Sequence, residues 1–354
     1  MKIGNSVITK DGKPYFIADI AANHDGDLGR AYKLIELAKE AGADVAKFQN
    51  FKAKTIVSKN GFDSLGKQLS HQASWKKSVF ETYEDASVND EWSAKLKEKC
   101  DEVGIEYMTS PYDFQSVDWA DQFVNAYKIG SGDITWPDIL RHIAQKNKPV
   151  LLATGASNME DVERAMEIIK KYNSEVVLMQ CNTNYTASNE NFKYINLNVL
   201  KTYQEKYPDV ILGLSDHTFG HSTVLGALAL GARVFEKHFT DDNSRSGPDH
   251  KFSMNPRTWR EMVDATNELY KALGDGIKRV EENEKDTVNV QRRAYYYSKD
   301  LNAGSVISED CIFPLRPVHT GAVLPYEKDK LVGRVLKRTV KADEWVKWED
   351  IENV

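Results

Sequence analysis

Along residues 1–277, short runs of valine, isoleucine, alanine and aromatic residues alternate with longer stretches whose apolar positions recur at helical spacing. The short runs begin with YFIADIA (15–21), DVAKFQNF (44–51), IEYMTSPY (105–112) and AYKIGSG (126–132). PVLLATG (149–155), EVVLMQCNTNY (175–185), DVILGLSDHT (209–218) and RVFEKHFT (233–240) continue the series. Several are nearly unbroken apolar runs, the pattern of parallel strands covered on both faces. Between them, residues 28–43 place Ala31, Leu34, Ile35, Ala38 and Ala41 on one helical stripe, and 158–173 and 255–274 show the same spacing. Eight such strand–helix units predict an α/β fold, a (β/α)8 TIM barrel, whose usual size is about 250 residues. KDGK (10–13), between two short β-like runs, predicts a hairpin ahead of the first barrel strand. Beyond the barrel, the charged stretch 278–293 has the character of a linker. Residues 294–354, with short β-like runs broken by glycine and proline, predict a small, separate, mostly β domain.

Polar residues gather where the apolar runs end. Asp19 and Asn23 follow the first, Lys47 and Gln49 the second, and Ser110 the third. Lys128, Ser131 and Asp133 follow the fourth, Thr154 the fifth, Thr183 and Tyr185 the sixth. Ser215 and His217 close the seventh, and Glu236 and His238 the eighth. The C-terminal strand ends of this fold surround a single pocket, so the pattern describes one built site. Strand alternation puts Lys47 with Gln49, Ser215 with His217, and Glu236 with His238 on shared faces. Two imidazoles at neighbouring strand ends suit a borderline divalent ion with positions left open; two unrelated polar caps are the plainer alternative. Buried lysines at 47 and 128 call for an anion. That anion is either a side chain such as Asp19 or Asp133, or a phosphorylated substrate. The hydroxyls of Ser110, Ser131, Thr154 and Ser215 and the GSG turn at 130–132 favour the substrate. Asp249, in the SGPDH loop after the last run, can reach over the mouth.

Composition narrows the function classes. At 41% hydrophobic and 28% charged residues the chain is ordinary for a soluble globular protein. A formal charge of -6 without a basic stripe argues against a nucleic-acid partner. No apolar stretch approaches the about 20 residues that cross a bilayer, and the N-terminus lacks the apolar core of a secretion signal. Three widely spaced cysteines, Cys100, Cys181 and Cys311, suit reduced thiols in the cytoplasm.

The motifs FIADIAANHDGDL, GADVAKFQ, YKIGSGD, GLSDHT, EKHFT and GPDHKFSMNP, in this order, resemble the sialic acid synthase (NeuB-like) family. KDLNAGSVISEDCIFPLRP resembles that family's C-terminal antifreeze-like (SAF) module. The resemblance implies condensation of phosphoenolpyruvate with an N-acylated hexosamine, typically N-acetylmannosamine, to a nine-carbon 2-keto acid and phosphate. It implies that His217 and His238 bind a divalent metal, manganese or magnesium. It also implies that Lys47, Ser110, Lys128, Ser131, Ser215 and Thr183 contact phosphoenolpyruvate, and that Gln49, Tyr185 and Asp249 contact the sugar. Arg316 would reach into the barrel of a second subunit, which makes an intertwined, domain-swapped homodimer the working unit. Three departures concern the sugar side: Asp19 and Asp133 stand where relatives commonly carry glutamate, and Ser74 where an asparagine binds the sugar. They suggest an acceptor other than plain N-acetylmannosamine, such as a 2,4-diacetamido-2,4,6-trideoxyhexose. Two other readings remain open: a barrel aldolase using Lys128 as a Schiff-base amine, and a non-catalytic carbohydrate- or ice-binding protein.

Overall fold

In the computed structural model, which describes residues 1–67, 72, 73, 75–88 and 91–352, the eight apolar runs form one closed parallel barrel. Its strands are β3 (Tyr15–Asp19), β4 (Val45–Asn50), β5 (Glu106–Pro111) and β6 (Tyr127–Ile129), then β7 (Val150–Ala153), β8 (Val176–Cys181), β9 (Ile211–Asp216) and β10 (Val234–His238). They pair in chain order, and β10 closes the ring against β3. Outward side chains such as Phe16, Phe48, Leu152, Leu178 and Phe235 join the main core under the helices. Inward ones, among them Ile17, Val45, Met108, Leu151, Met179 and Val234, fill the barrel. This double burial is why the strands carry so little polar alternation.

The surrounding helices follow from stripe and cap together. α1 (Leu28–Glu40) buries Ala31, Leu34, Ile35 and Ala38, and Asp27 caps it by accepting from the Arg30 N–H at 2.9 Å. After β4 the chain makes an excursion of three short helices, α2 (Ala53–Ile56), α3 (Lys59–Ser64) and α4 (Val79–Ala86). Then come α5 (Trp92–Val103), α6 (Phe114–Ala120), α7 (Pro137–Ala144), α8 (Met159–Lys170), α9 (Val199–Lys206), α10 (Ser222–Ala229) and α11 (Pro256–Leu273). Asn158 and Asn255 each form a capping box at the start of α8 and α11.

The hairpin lies earlier than KDGK. β1 (Lys2–Ile3) pairs antiparallel with β2 (Ser6–Val7) through a turn at Gly4, whose φ of 55° suits glycine. β3 is already paired on both edges, by β10 and β4, so no ladder position remains for a hairpin partner. KDGK instead begins in a turn closed by Gly12 N–H to the Thr9 carbonyl at 3.2 Å. Ile3 and Ile8 cluster with the inward barrel residues Tyr15 and Ile17.

The chain divides into two compact units, Met1–Gly274 and Asp275–Val354. In the second, the stretch expected to be a linker carries α12 (Lys285–Gln291). β11 (Ala294–Tyr297) pairs antiparallel with β12 (Ile312–Leu315), and isolated bridges tie the remaining short runs together. Tyr297, Ile307, Val323, Leu331, Val340 and Val346 are among the residues of its own core.

Candidate active site

Above the apolar filling, the next inward position on most strands is polar. Register fixes who stands beside whom: Asp19 is level with His238 on one side and Lys47 on the other, Gln49 with Ser110, and Glu236 with Ser215. These side chains line a cavity of about 440 Å³ together with Lys128, Ser131, Asp133, Thr183, Tyr185, His217 and Asp249. One pocket therefore contains fourteen residues singled out in the sequence.

The floor is an alternating set of charges. Lys47, 1% exposed, donates to Asp19 Oδ2 at 2.7 Å and lies 3.9 Å from Glu236 Oε2. Lys128 Nζ sits 3.2 Å from Glu236 Oε1, which also accepts from Ser215 Oγ at 3.1 Å. Gln49 Nε2 donates to the same Asp19 oxygen at 3.2 Å. Burial works against charge on Lys47, but the carboxylates of Asp19 and Glu236 outweigh it and hold its pKa above the usual lysine value. Glu236, noticed in the sequence only as a polar neighbour of His238, is thus the carboxylate that both lysines share.

His217 and His238 lie beside this floor with ring centroids 5.3 Å apart. The carbonyl of Asn182 contacts His217 Nδ1 at 3.0 Å, which orients the ring. His238 Nδ1 is buried without a hydrogen-bond partner, and Asp249 Oδ2 is 4.0 Å from it. Burial lowers the His238 pKa to about 3, so the imidazole is neutral, the form that binds metal. Burial also opposes charge on His217, but the Cys181 thiol and the Asn182 carbonyl outweigh it; a dication at the same place would reverse that bias. No cluster of three ligating side chains occurs among the described residues. An orphaned buried nitrogen on His238 beside the oriented ring of His217 fits a borderline divalent ion whose other positions are left to water and substrate.

The remaining wall has a different chemistry. Asp249 accepts from the Ala22 N–H at 3.2 Å, and His250 anchors its loop through Asp25 at 2.9 Å and Thr240 at 2.7 Å. Burial raises the Asp133 pKa to about 6. The excursion after β4 contributes an apolar side made of Phe51, Ile56, Val57, Phe62, Trp75 and Tyr83, which the strand-end pattern did not disclose. Cys181, the inward residue level with Ser215, lines the cavity as well.

Thr154 is a correction. Leu151 points inward, so Thr154 falls on the outward phase; it donates to the Met179 carbonyl and accepts from Tyr203, both at 2.9 Å. The inward position belongs to Gly155, whose N–H donates to Ser131 Oγ at 2.9 Å. A Cβ there would come within 1.8 Å of Thr183 Oγ1 and 2.9 Å of Ser131 Oγ, so glycine is what lets both hydroxyls enter the cavity. Asn23 is also withdrawn, donating to the Phe239 carbonyl and Ser253 Oγ at 2.9 Å each. Ser74 lies outside the described residues. Arg316 is exposed on the second unit, just after β12.

The model of the NeuB family matches residues 34–278, and that of the SAF domain residues 292–352. N,N'-diacetyllegionaminic acid synthase of Campylobacter jejuni is 34% identical over 95% of this chain and 99% of its own length. Pseudaminic acid synthase of the same species is 33% identical over 99% of this chain and all of its own. A crystal structure of N-acetylneuraminic acid synthetase from Leptospira borgpetersenii, in complex with citrate, superposes with a TM-score of 0.71 at 28% identity. It covers 81% of this chain and 94% of that one. A closed eightfold barrel with this mouth, followed by an SAF domain, belongs to a member of the NeuB family, and this chain is one.

Proposed function

We propose that this chain is a nonulosonic acid synthase, joining phosphoenolpyruvate to an N-acylated hexosamine to give a nine-carbon 2-keto acid and phosphate. The observation that carries this is the pair of buried lysines, ion-paired to Asp19 and Glu236, next to two neighbouring imidazoles in one cavity. C3 of the enol attacks the open-chain aldehyde, whose oxygen takes a proton. Water adds at C2, and the resulting tetrahedral centre expels phosphate. Lys47 and Lys128 hold the phosphate and carboxylate charges through these bond changes, and Glu236 fixes both ammonium groups beforehand. His217 and His238 would hold a manganese or magnesium ion, whose Lewis acidity polarises a carbonyl oxygen. Ser110, Ser131, Ser215 and Thr183 supply hydroxyl donors on the phosphoenolpyruvate side. Gln49, Tyr185 and Asp249 face the sugar.

The apolar wall supports a reading of the acceptor's far end. Among the described lining residues the only cations are Lys47 and Lys128, both already ion-paired. A phosphorylated sugar would bring its charge against Phe62, Trp75 and Tyr83, whereas acetamido methyls and a 6-deoxy carbon would bury there. The acceptor is therefore unphosphorylated, a 2,4-diacetamido-2,4,6-trideoxyhexose in preference to N-acetylmannosamine. Phosphate release from phosphoenolpyruvate should require the sugar. The diacetamido-trideoxy acceptor should win in kcat/KM by about 10–100-fold, the scale of discrimination by small apolar groups. Preference for N-acetylmannosamine or its 6-phosphate would remove the acceptor assignment, and sugar-independent or absent phosphate release would remove the synthase.

Asp133 gives this acceptor side a pH dependence. Its folded pKa of about 6 leaves the carboxyl protonated below that value and ionised above it, where it accepts from sugar hydroxyls more strongly. Acceptor KM should fall as pH rises from 5 to 7, by up to about tenfold, and Asp133→Asn should flatten the profile. A profile unchanged by the substitution would exclude contact with the acceptor.

The aldolase alternative is disfavoured because Lys128 is ion-paired with Glu236, not set in an apolar pocket that frees its amine. Since both cavity lysines are engaged, a further cation from a second copy of the chain, Arg316, would complete the anion cradle and make the homodimer the active unit. The three cysteines are free, and no helix among the described residues is long and apolar enough to cross a membrane. These features support a cytoplasmic enzyme.

A further inference from the structure

His217 and His238 are each preceded by a charged residue, and those charges do not face the cavity. Asp216 and Lys237 point outward from β9 and β10, where a barrel strand normally presents apolar side chains to its helices. They are register partners across the sheet, form an ion pair, and have side chains 0% and 2% exposed. The pair is fully furnished with partners. Asp216 accepts from the Thr218 N–H at 3.2 Å, from Thr218 Oγ1 at 2.8 Å and from Thr223 Oγ1, at the start of α10, at 2.7 Å. Lys237 Nζ donates to the Thr218 carbonyl at 2.7 Å.

This arrangement matters because the β9 ladder stops one residue too early. The last Cα partners between β9 and β10 are Asp216 and Lys237, so His217 lies just past the sheet. His238, by contrast, is still in register with Asp19 of β3. His217 is held from both sides by the ion pair instead. The residue before it belongs to the pair, and the residue after it has both its N–H and its carbonyl bonded to the pair. Lys237 in turn adjoins His238. The cluster therefore sets the position of one imidazole against the other.

We infer that Asp216 and Lys237 act as a positioning clamp that fixes His217 relative to His238 for a shared divalent cation. The inference rests on the metal reading of the two histidines. Residues that orient ligands without touching the ion commonly change affinity by about 10–100-fold when removed. Stability can be separated from position, because replacing a buried ion pair by neutral side chains of similar volume is often neutral or stabilising, whereas removing one partner is costly.

The test uses the full-length protein and Mn2+ alone, with free Mn2+ followed by electron paramagnetic resonance. The Asp216→Asn/Lys237→Met double variant should keep a thermal midpoint near that of the wild type and keep phosphoenolpyruvate binding in metal-free buffer. It should bind Mn2+ about 10–100-fold more weakly. Lys237→Met alone, which strands a buried carboxylate, should lose both Mn2+ affinity and thermal stability. A double variant with wild-type Mn2+ affinity overturns the clamp while leaving the metal reading standing. Equal losses of Mn2+ and phosphoenolpyruvate binding overturn it too, by showing general damage to the barrel. A wild-type chain that takes up no Mn2+ overturns the metal reading, and the clamp falls with it.

Discussion

Lys47→Met is expected to lower kcat/KM for phosphoenolpyruvate by about 10³-fold, or about 4 kcal/mol of transition-state stabilisation. The size of the effect follows from where the ammonium stands. It is almost fully buried, 2.7 Å from Asp19 Oδ2 and within 3.9 Å of Glu236. Its field acts in a site where water cannot screen it, and methionine keeps the stem's volume while removing the charge. Among the described residues, the same change leaves Asp19 the Gln49 amide and the Ala21 N–H as hydrogen-bond donors. Stability should therefore fall as well, by about 3–5 kcal/mol if the carboxylates stay ionised and less if one takes up a proton. Lys47→Arg should not restore activity, since a planar fork cannot replace a point donor between two fixed carboxylates. Steady-state kinetics with phosphoenolpyruvate as the varied substrate, alongside thermal unfolding, measure both effects. A variant within tenfold of the wild type would mean that Lys47 is a structural counter-ion and that Lys128 alone serves the anion.

Much of this was visible in the chain before it was folded. Parallel strands buried on both faces leave continuous apolar runs, so eight strands could be located from pattern alone. The polar residue closing a run then marked the mouth. The same burial hides the phase of alternation, which is how Thr154 came to be placed in the pocket. Val150–Ala153 is apolar at every position, and only packing shows that Leu151 points in and Thr154 out. The apolar wall was illegible for a related reason. α2, α3 and α4 are too short for a helical stripe to rise above chance, and Ile56, Phe62 and Tyr83 pack around a cluster of their own, apart from the main core. Asp216 and Lys237 were plain to see as charges inside apolar runs, but nothing in one strand names its partner on the next. Glu236 presents the converse case: its place beside His238 was legible from alternation, and its two lysines were not.

His238→Ala should abolish Mn2+ binding and lower turnover by about 10³-fold or more, because a Lewis acid contributes several kcal/mol to a carbonyl addition. The ring occupies a place that packing alone does not explain. It is buried, neutral, 4.9 Å by centroid from Phe252, and has a ring nitrogen with no partner among the described residues. An unsatisfied buried polar atom costs free energy that alanine would not incur, so a purely structural ring would be poorly chosen. Alanine should accordingly leave the barrel folded. His217→Ala should have the same effect through the other half of the proposed ligand pair. The decisive measurement is the double variant. If both imidazoles serve one ion, removing either already removes it, and His217→Ala/His238→Ala should be no slower than the slower single variant. Wild-type protein stripped by a chelator should fall to that same rate, and added Mn2+ should rescue the wild type alone. If the two substitutions instead multiply, or if chelation leaves the wild type unchanged, the histidines act independently on the substrate, and the chemistry at this mouth runs on its lysines and carboxylates.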